Sequence, residues 1–191
     1  MSKNKQLENI LNCSICQADL NHAVRPVVRY AITSKILIIG QAPGLKVHKS
    51  GIPWNDQSGI RLRQWLDVSK EVFYDTSNFG IIPMGFCYPG KGKSGDLPPR
   101  KECAPKWHPT ILNALKNVKL TLLIGQYAQK YYLNTRKEKN LTETVRNFEN
   151  YLPHYFVLPH PSPRNGIWLS KNKWFERDLI PILQNTVKEI I

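Results

Sequence analysis

Short apolar runs alternate with longer amphipathic stretches along this chain. Residues 35–39 and 120–124 are apolar runs that each end at a glycine. Runs of this length without polar alternation are typical of parallel strands that are covered on both faces. Two weaker runs, residues 79–83 and 155–158, lead into Gly-rich or Pro-rich loops and predict two more strands.

Between these runs, apolar residues recur every three or four positions, which predicts helices. The helical patterns cover residues 59–68, 109–117, 126–133, 141–151 and 172–190. Pro181 lies inside the last pattern and should kink it or split it. The alternation predicts an α/β fold, a three-layer α/β/α sandwich with a central, mostly parallel four-stranded sheet. Since no repeat or linker interrupts it, we expect a single domain over residues 1–191.

A segment rich in Gly, Pro and Lys, residues 89–103, is predicted to be a long loop that needs an anchor. Cys87 and Cys103 flank this loop, and Cys13 and Cys16 form a CxxC pair near the start of the chain. Four thiolates can complete a tetrahedral zinc site or an iron–sulfur cubane, so we predict one metal site built by all four cysteines. Buried free thiols and a thioredoxin-like redox pair are the alternatives.

The charge balance favours a polyanionic partner. The 191 residues carry 27 Lys and Arg against 14 Asp and Glu, a formal net charge of +13. A solvated basic surface without a partner is the alternative. No apolar run approaches the roughly 20 residues needed to cross a bilayer, and the first nine residues lack an apolar signal core. We therefore expect a cytoplasmic protein that contacts no membrane.

The loop after the first predicted strand is rich in small and polar residues. It reads Gly40-Gln41-Ala42-Pro43-Gly44, and residues 51–59 then lead into a helix. Ligands bind to open α/β sheets at the carboxyl ends of parallel strands. Trp54 offers a stacking face, and Gln41, Asn55 and Asp56 offer hydrogen bonds, a set that fits a nucleobase. Asp56 and Ser58 equally fit a helix cap.

The loop after the last predicted strand is stiffened by prolines. It contains His160, Pro161, Ser162, Pro163, Arg164 and Asn165. Because proline fixes φ, such a loop can press on a nucleic-acid backbone at little ordering cost, and its histidine suits recognition of an anion. An ordinary Pro-rich turn with a surface histidine is the alternative.

At these residues the chain resembles the uracil-DNA glycosylase superfamily. Its members carry a Gly-x-x-Pro-[Gly/Tyr] loop after the first core strand and a His-Pro-Ser loop near the end, which stand here as GQAPG and HPSPRN. The cysteine pattern is similar to that of the iron–sulfur (4Fe-4S, family 4-like) uracil-DNA glycosylases of bacteria and archaea. The likeness covers roughly residues 10–185.

The resemblance implies a monofunctional DNA glycosylase of base excision repair. Such an enzyme flips a deaminated base, uracil above all, out of double- or single-stranded DNA and hydrolyses its N-glycosidic bond. We expect it to act as a monomer. The resemblance further implies that the four cysteines hold a 4Fe-4S cluster, with zinc as the alternative, and that the cluster has no redox role.

Residue roles follow from the same resemblance. Residues 40–44 would hold the sugar and uracil, Trp54 would replace the family's stacking Phe, and His160 would donate to uracil O2 as negative charge develops there. Arg164 would act as the wedge in the duplex. The remaining predicted DNA contacts are Ser58, Pro161, Ser162, Pro163 and Asn165.

The chain departs from the family at its carboxylates and at its base-reading Asn. The iron–sulfur enzymes carry Glu where Gln41 stands, and other members carry a water-activating Asp where Ala42 stands. A related branch places its acid further along, so we predict Asp56 as the catalytic carboxylate, together with Gln41 and His160. The base-reading Asn falls on Pro83, for which Asn55 or the backbone near Met84 and Gly85 is the predicted substitute. The list of predicted base contacts is therefore Gly40, Ala42, Pro43, Gly44, Trp54, Asn55, Met84 and Gly85.

These departures leave other functions open. One alternative is that the preferred base is hypoxanthine or xanthine instead of uracil. Another is that the protein is a DNA damage-recognition module that kept the fold and lost catalysis. A zinc-stabilised hydrolase of free nucleosides or nucleotides is a third possibility, which the net charge disfavours.

Overall fold

The computed structural model describes residues 3–191 of the chain, with side chains from residue 5 onward. Its strands are β1 (Ile36–Ile39), β2 (Phe79–Ile81), β3 (Lys91–Gly92), β4 (Gly95–Asp96), β5 (Leu120–Ile124) and β6 (Tyr155–Leu158). Its α-helices are α1 (Lys3–Leu11), α2 (Leu45–Ser50), α3 (Gln57–Leu66), α4 (Lys70–Tyr74), α5 (Cys103–Ala114), α6 (Gln126–Leu133), α7 (Leu141–Arg146), α8 (Gly166–Lys171) and α9 (Ile180–Ile190).

The central sheet is parallel and has the strand order β2-β1-β5-β6. Ile36 of β1 lies opposite Phe79 on one side and Leu120 on the other. Almost every residue of these four strands is buried, because helices pack around the sheet. The predicted fold class, an α/β domain around a parallel four-stranded sheet, is confirmed. All four strands run the same way, so the loops that follow them meet at one edge.

The predicted long loop contains a small hairpin. Strands β3 and β4 pair antiparallel, with Lys91 opposite Asp96, and Lys93 and Ser94 form the turn between them. Gly95 adopts a φ of 150°, a conformation that L side chains rarely adopt. The hairpin closes where the amide of Leu97 donates to the carbonyl of Gly90 at 2.8 Å. From the sequence we expect the cysteines to anchor this loop. The hairpin provides part of that anchoring.

Helix α5 begins at Cys103, six residues before the predicted start at Pro109. Proline is favoured in the first turn of a helix, which agrees with a start at Pro109. In the structure Pro109 lies inside α5, where it removes one backbone hydrogen bond. The buried face formed by Ala104, His108 and Ile111 continues past it, so packing compensates for the lost bond.

The last helical pattern changes its geometry just before Pro181, where the sequence predicts a kink or a split. Residues Phe175–Leu179 form a π-helical turn, and α9 follows with Pro181 as its second residue. The wider turn relieves the clash of the proline ring with the carbonyl four residues earlier. The predicted helix over residues 141–151 is likewise divided, into α7 and a 3₁₀ turn at Phe148–Tyr151.

Candidate active site

A cavity of about 490 Å³ opens at the carboxyl edge of the sheet. It is lined from the loops after β1, β2, β5 and β6 and from the β3–β4 hairpin. The predicted site residues at its wall are Gly40, Gln41, Ala42, Pro43, Gly44, Trp54, Asp56, Ser58, His160, Ser162, Arg164 and Asn165. Pro161 and Pro163 lie in the same loop as His160 but do not line the cavity.

Backbone hydrogen bonds from the segment after β2 hold the first loop, residues 40–44, in place. The amide of Met84 donates to the Gly40 carbonyl at 2.9 Å, and that of Gly85 donates to the Gln41 carbonyl at 2.9 Å. Met84 and Gly85 are buried and do not line the cavity. Their two amides are already engaged and are not available to a base. The structure therefore does not bring these two predicted base contacts to the cavity.

Pro83 is the residue after β2 that does line the cavity. Its carbonyl lies 3.0 Å from His108 Nε2, and Tyr132 contacts His108 Nδ1 through its hydroxyl. Since a carbonyl only accepts, Nε2 carries the proton and Nδ1 accepts from the Tyr132 hydroxyl. His108 is buried, and burial lowers its pKa to about 4. The ring is therefore neutral while it binds the Pro83 carbonyl at the cavity wall.

Trp54 lies against the start of the first loop with an unusual backbone conformation, φ 57°. A Cβ atom added to Gly40 would lie 2.9 Å from Trp54 Cζ2, so the glycine makes room for the indole. A Cβ on Gly59 would collide with the Trp54 carbonyl. The indole reaches the last loop, where its ring centroid lies 5.6 Å from that of His160.

Asp56 caps α3, since its Oδ1 accepts from the Gly59 amide at 2.9 Å. The helix cap that the sequence allowed is therefore present. Asp56 also lines the cavity, so its carboxylate borders the site as well. Ser58 is buried at the same wall. Asn55 is exposed and does not line the cavity, so the structure does not bring this predicted base contact to the site.

Three side chains hold the last loop. Asn165 Nδ2 donates to the His160 carbonyl at 2.6 Å, Arg61 Nη1 donates to the Ser162 carbonyl at 3.2 Å, and Ser162 Oγ accepts from the Arg164 amide at 3.2 Å. Burial lowers the pKa of His160, and the nearby carboxylates act in the opposite direction without reversing the shift. The imidazole is therefore neutral at neutral pH and can donate one N–H into the cavity.

Sequence reasoning missed two groups of cavity residues. Ser94, Gly95 and Asp96 come from the hairpin, and Gln126 and Tyr127 begin α6 directly after β5. The rule that ligands bind at the carboxyl ends of parallel strands applies to β5 as well and points to the second group. For the hairpin residues, the sequence gives one signal, the alternation of glycine with polar residues over residues 90–96.

Arg164 contacts the hairpin. Its Nη1 donates to the Ser94 carbonyl at 3.1 Å and passes close to Gly95, where a Cβ would collide with it. The side chain that the resemblance assigns to a DNA wedge is in this structure exposed at the cavity rim and bound to the hairpin turn.

The four cysteines line one small cavity away from this site, together with Phe86, Arg100 and Trp107. Cys103 Sγ accepts from the Phe86 amide at 3.3 Å. Burial raises the pKa of Cys87 to about 11 and that of Cys103 to about 12. Among residues 5–191, no group of three or more His, Cys, Asp and Glu side chains closes on a single metal ion.

A protein-family model described as the uracil DNA glycosylase superfamily matches residues 27–184. The match spans most of the chain and all the loops around the larger cavity, so the chain belongs to this superfamily. Its members are DNA glycosylases, which are hydrolases that act on DNA. None of the helices in the described part of the chain combines the length and the apolar character that crossing a membrane requires.

Proposed function

We propose that this protein is a monofunctional DNA glycosylase that removes a deaminated base, uracil first among them, in base excision repair. The observation that carries the proposal is the pairing of a neutral His160 with Trp54 at the wall of a cavity large enough for a flipped nucleotide. The net charge of +13 suits a protein that holds DNA while it extrudes a base.

In the reaction, the bond between C1′ of the sugar and the base nitrogen breaks, and the base leaves with the electron pair. A neutral imidazole stabilises this negative charge by donating an N–H hydrogen bond to the departing base. The Trp54 indole stacks on the base, and the small residues of the first loop let its backbone approach the sugar. A carboxylate near the sugar stabilises its developing positive charge, a role for which we propose Asp56.

Base selection rests on other residues than in the family pattern. Pro83 supplies no side-chain hydrogen bond at the position of the family's Asn. Gln41 and Gln126 carry side-chain amides at the cavity wall, and an amide offers both a donor and an acceptor to a base edge. We propose that these two amides read the base, which allows hypoxanthine or xanthine as well as uracil.

We also propose that Cys13, Cys16, Cys87 and Cys103 hold a 4Fe-4S cluster. Burial raises the thiol pKa of Cys87 and Cys103, so these two need a metal to become thiolates at neutral pH. What supports the proposal is that the four cysteines line one small cavity, and four thiolates can hold such a cluster, with zinc as the alternative. The cluster would tie the start of the chain to α5 and takes no part in the chemistry.

One observation favours a second function, a damage-recognition module without catalysis. The first loop carries Gln41 and Ala42 where relatives carry their activating carboxylates. Such a protein would bind a flipped base in the same cavity and leave the glycosidic bond intact.

The test is cleavage of labelled duplexes and single strands that contain uracil, hypoxanthine or xanthine. Alkali treatment reveals abasic sites, and strand cleavage without alkali would contradict a monofunctional enzyme. Asp56→Asn should slow single-turnover cleavage by about 10²-fold or more. Asp178→Asn, the same change at an exposed aspartate outside the cavity, serves as the matched control. Tight binding of one of these DNAs with no cleavage would favour the recognition module.

A further inference from the structure

The hairpin brings a second carboxylate to the cavity. Asp96 is the last residue of β4 and lines the cavity beside Ser94 and Gly95. Its Oδ2 lies 3.4 Å from the point that a Cβ atom on Gly44 would occupy, so the carboxylate stands directly over the first loop. Nothing in the resemblance to the glycosylase family assigns a role to this residue.

Contacts from Arg164 and Tyr88 hold Asp96 and its hairpin in place. Arg164 binds the hairpin turn at Ser94, and the Tyr88 hydroxyl lies 3.4 Å from Asp96 Oδ1. Tyr88 itself is buried. Asp96 is exposed and lies in a Gly-rich hairpin, so these two contacts define its position at the cavity rim.

The two carboxylates of the site differ in what occupies their oxygens. Asp56 uses Oδ1 to cap α3, which fixes the carboxylate to the helix. Within the part of the chain that the structure describes, Asp96 Oδ2 accepts no hydrogen bond from the protein. Asp96 is also exposed, whereas Asp56 is half-buried. Asp96 therefore has a free oxygen in contact with solvent water at the mouth of the site.

Electrostatics link both carboxylates to the same imidazole. Asp56 and Asp96 each raise the pKa of His160 against the larger effect of burial, so both lie within electrostatic range of the ring. Hydrolysis of an N-glycosidic bond places positive charge on the sugar and needs a group that takes a proton from water. One carboxylate cannot easily do both, and this cavity supplies two.

We propose that Asp96 is a catalytic residue that binds the attacking water through Oδ2 and accepts its proton, while Asp56 faces the sugar cation. The inference rests on the proposed glycosylase function and extends it. Water forms a bond to C1′ as the bond from C1′ to the base nitrogen breaks, and the electron pair of that bond leaves with the base. The water proton passes to Asp96 and later neutralises the base anion, so atoms and charges balance.

The experiment compares Asp96→Asn with the wild-type protein in single-turnover cleavage at saturating enzyme on the preferred base. We expect the rate to fall by about 10²-fold to 10⁴-fold and the affinity for the same DNA to stay within about threefold. Added formate should raise the cleavage rate of Asp96→Ala, because a small carboxylate can take the vacated place. Tyr88→Phe, which keeps the carboxylate and removes its neighbour's hydroxyl, should slow cleavage by less than about tenfold.

The outcomes separate the two proposals. If the wild type cleaves and Asp96→Asn keeps at least one third of its rate, the role of Asp96 is wrong and the glycosylase function stands. A slow Asp96→Asn protein that has also lost DNA affinity, with no response of Asp96→Ala to formate, would make Asp96 a support of the hairpin and overturn its catalytic role. A wild type that cleaves none of the three bases overturns both proposals.

Discussion

The Trp54 indole and the His160 imidazole lie side by side at the cavity wall, with ring centroids 5.6 Å apart and planes inclined by 31°. A base intercalated between two rings would need a separation of about 7 Å, twice the van der Waals contact distance. The flipped base therefore cannot enter between them. In the proposed reaction the base would instead stack on the other face of the indole, and His160 would reach the edge of the base from the side.

This arrangement depends on Gly40, which leads to the first testable prediction. In Gly40→Ala the new methyl group would lie 2.9 Å from Trp54 Cζ2, so the indole must move. A displacement of a substrate-positioning group by about 1 Å can cost about 10²-fold in rate. We expect single-turnover base excision to slow by about that factor, while the melting temperature changes little because the indole lies at the cavity surface.

The matched control is Gly166→Ala at the start of α8. Gly166 has a helical φ of −55°, and nothing lies within 4 Å of the added methyl group. Its excision rate should equal that of the wild type. Equal rates for Gly40→Ala and Gly166→Ala would show that the position of Trp54 does not matter for the reaction.

The sequence predicted the central sheet well and the hairpin not at all, for a physical reason. Buried parallel strands such as β1 and β5 are continuous apolar runs, a local signal that survives without knowledge of tertiary contacts. Besides its own hydrogen bond between Leu97 and Gly90, the largely exposed hairpin β3–β4 is held by Arg164, which is 70 residues away from Ser94 in the chain. No local pattern encodes such a contact.

The same distinction applies to the site. Asp56, Trp54 and His160 follow strands that the pattern reveals, and the structure places all three at one cavity. Met84 follows such a strand too, but its amide pairs with the Gly40 carbonyl. Which backbone groups remain free depends on the register between neighbouring loops, and the sequence does not contain that information locally.

A second prediction concerns the basic residues of the hairpin. Lys91 and Lys93 are exposed on an element that borders the cavity. If they contact phosphates, the double substitution to Gln should weaken DNA binding. It should also reduce the steepness of the dependence of log affinity on log salt by about 1 to 2 units. Fluorescence anisotropy with labelled DNA between 50 and 200 mM salt measures both effects.

Lys116 and Lys119 provide the comparison. Both are exposed and precede β5, at the amino edge of the sheet opposite the cavity. Their double substitution to Gln makes the same change in net charge. If this pair reduced the salt dependence as much as the hairpin pair, binding would follow the total charge and not a surface around the cavity.

A third prediction tests the cysteine site. Protein purified without oxygen should show a broad absorbance band near about 400 nm and contain iron, as expected for a cluster of this kind. Cys103→Ser should remove the band, lose the iron and lower the melting temperature, because α5 begins at this residue. Ser14→Ala, an exposed change between Cys13 and Cys16, should retain all three properties. A colourless wild type that contains one zinc ion per chain would contradict the cluster.

The fourth prediction follows from the buried His108. Its pKa is about 4 in the folded protein, whereas that of an unfolded histidine is about 6.5. Between these two values the unfolded chain binds more protons than the folded one, so the free energy of unfolding falls as the pH falls from 6.5 toward 4. The contribution of His108 to this loss amounts to about 2 kcal/mol between pH 7.5 and pH 5.

Urea unfolding of the wild type and of His108→Gln at these two pH values measures this contribution. The variant should be less stable at pH 7.5, because it loses the contact of a buried ring with the Pro83 carbonyl and the Tyr132 hydroxyl. It should nevertheless lose about 2 kcal/mol less stability than the wild type on acidification. His154→Gln, the same change at an exposed histidine, should keep the wild-type pH dependence. If His108→Gln also kept it, the buried ring would not be the group that protonates on unfolding.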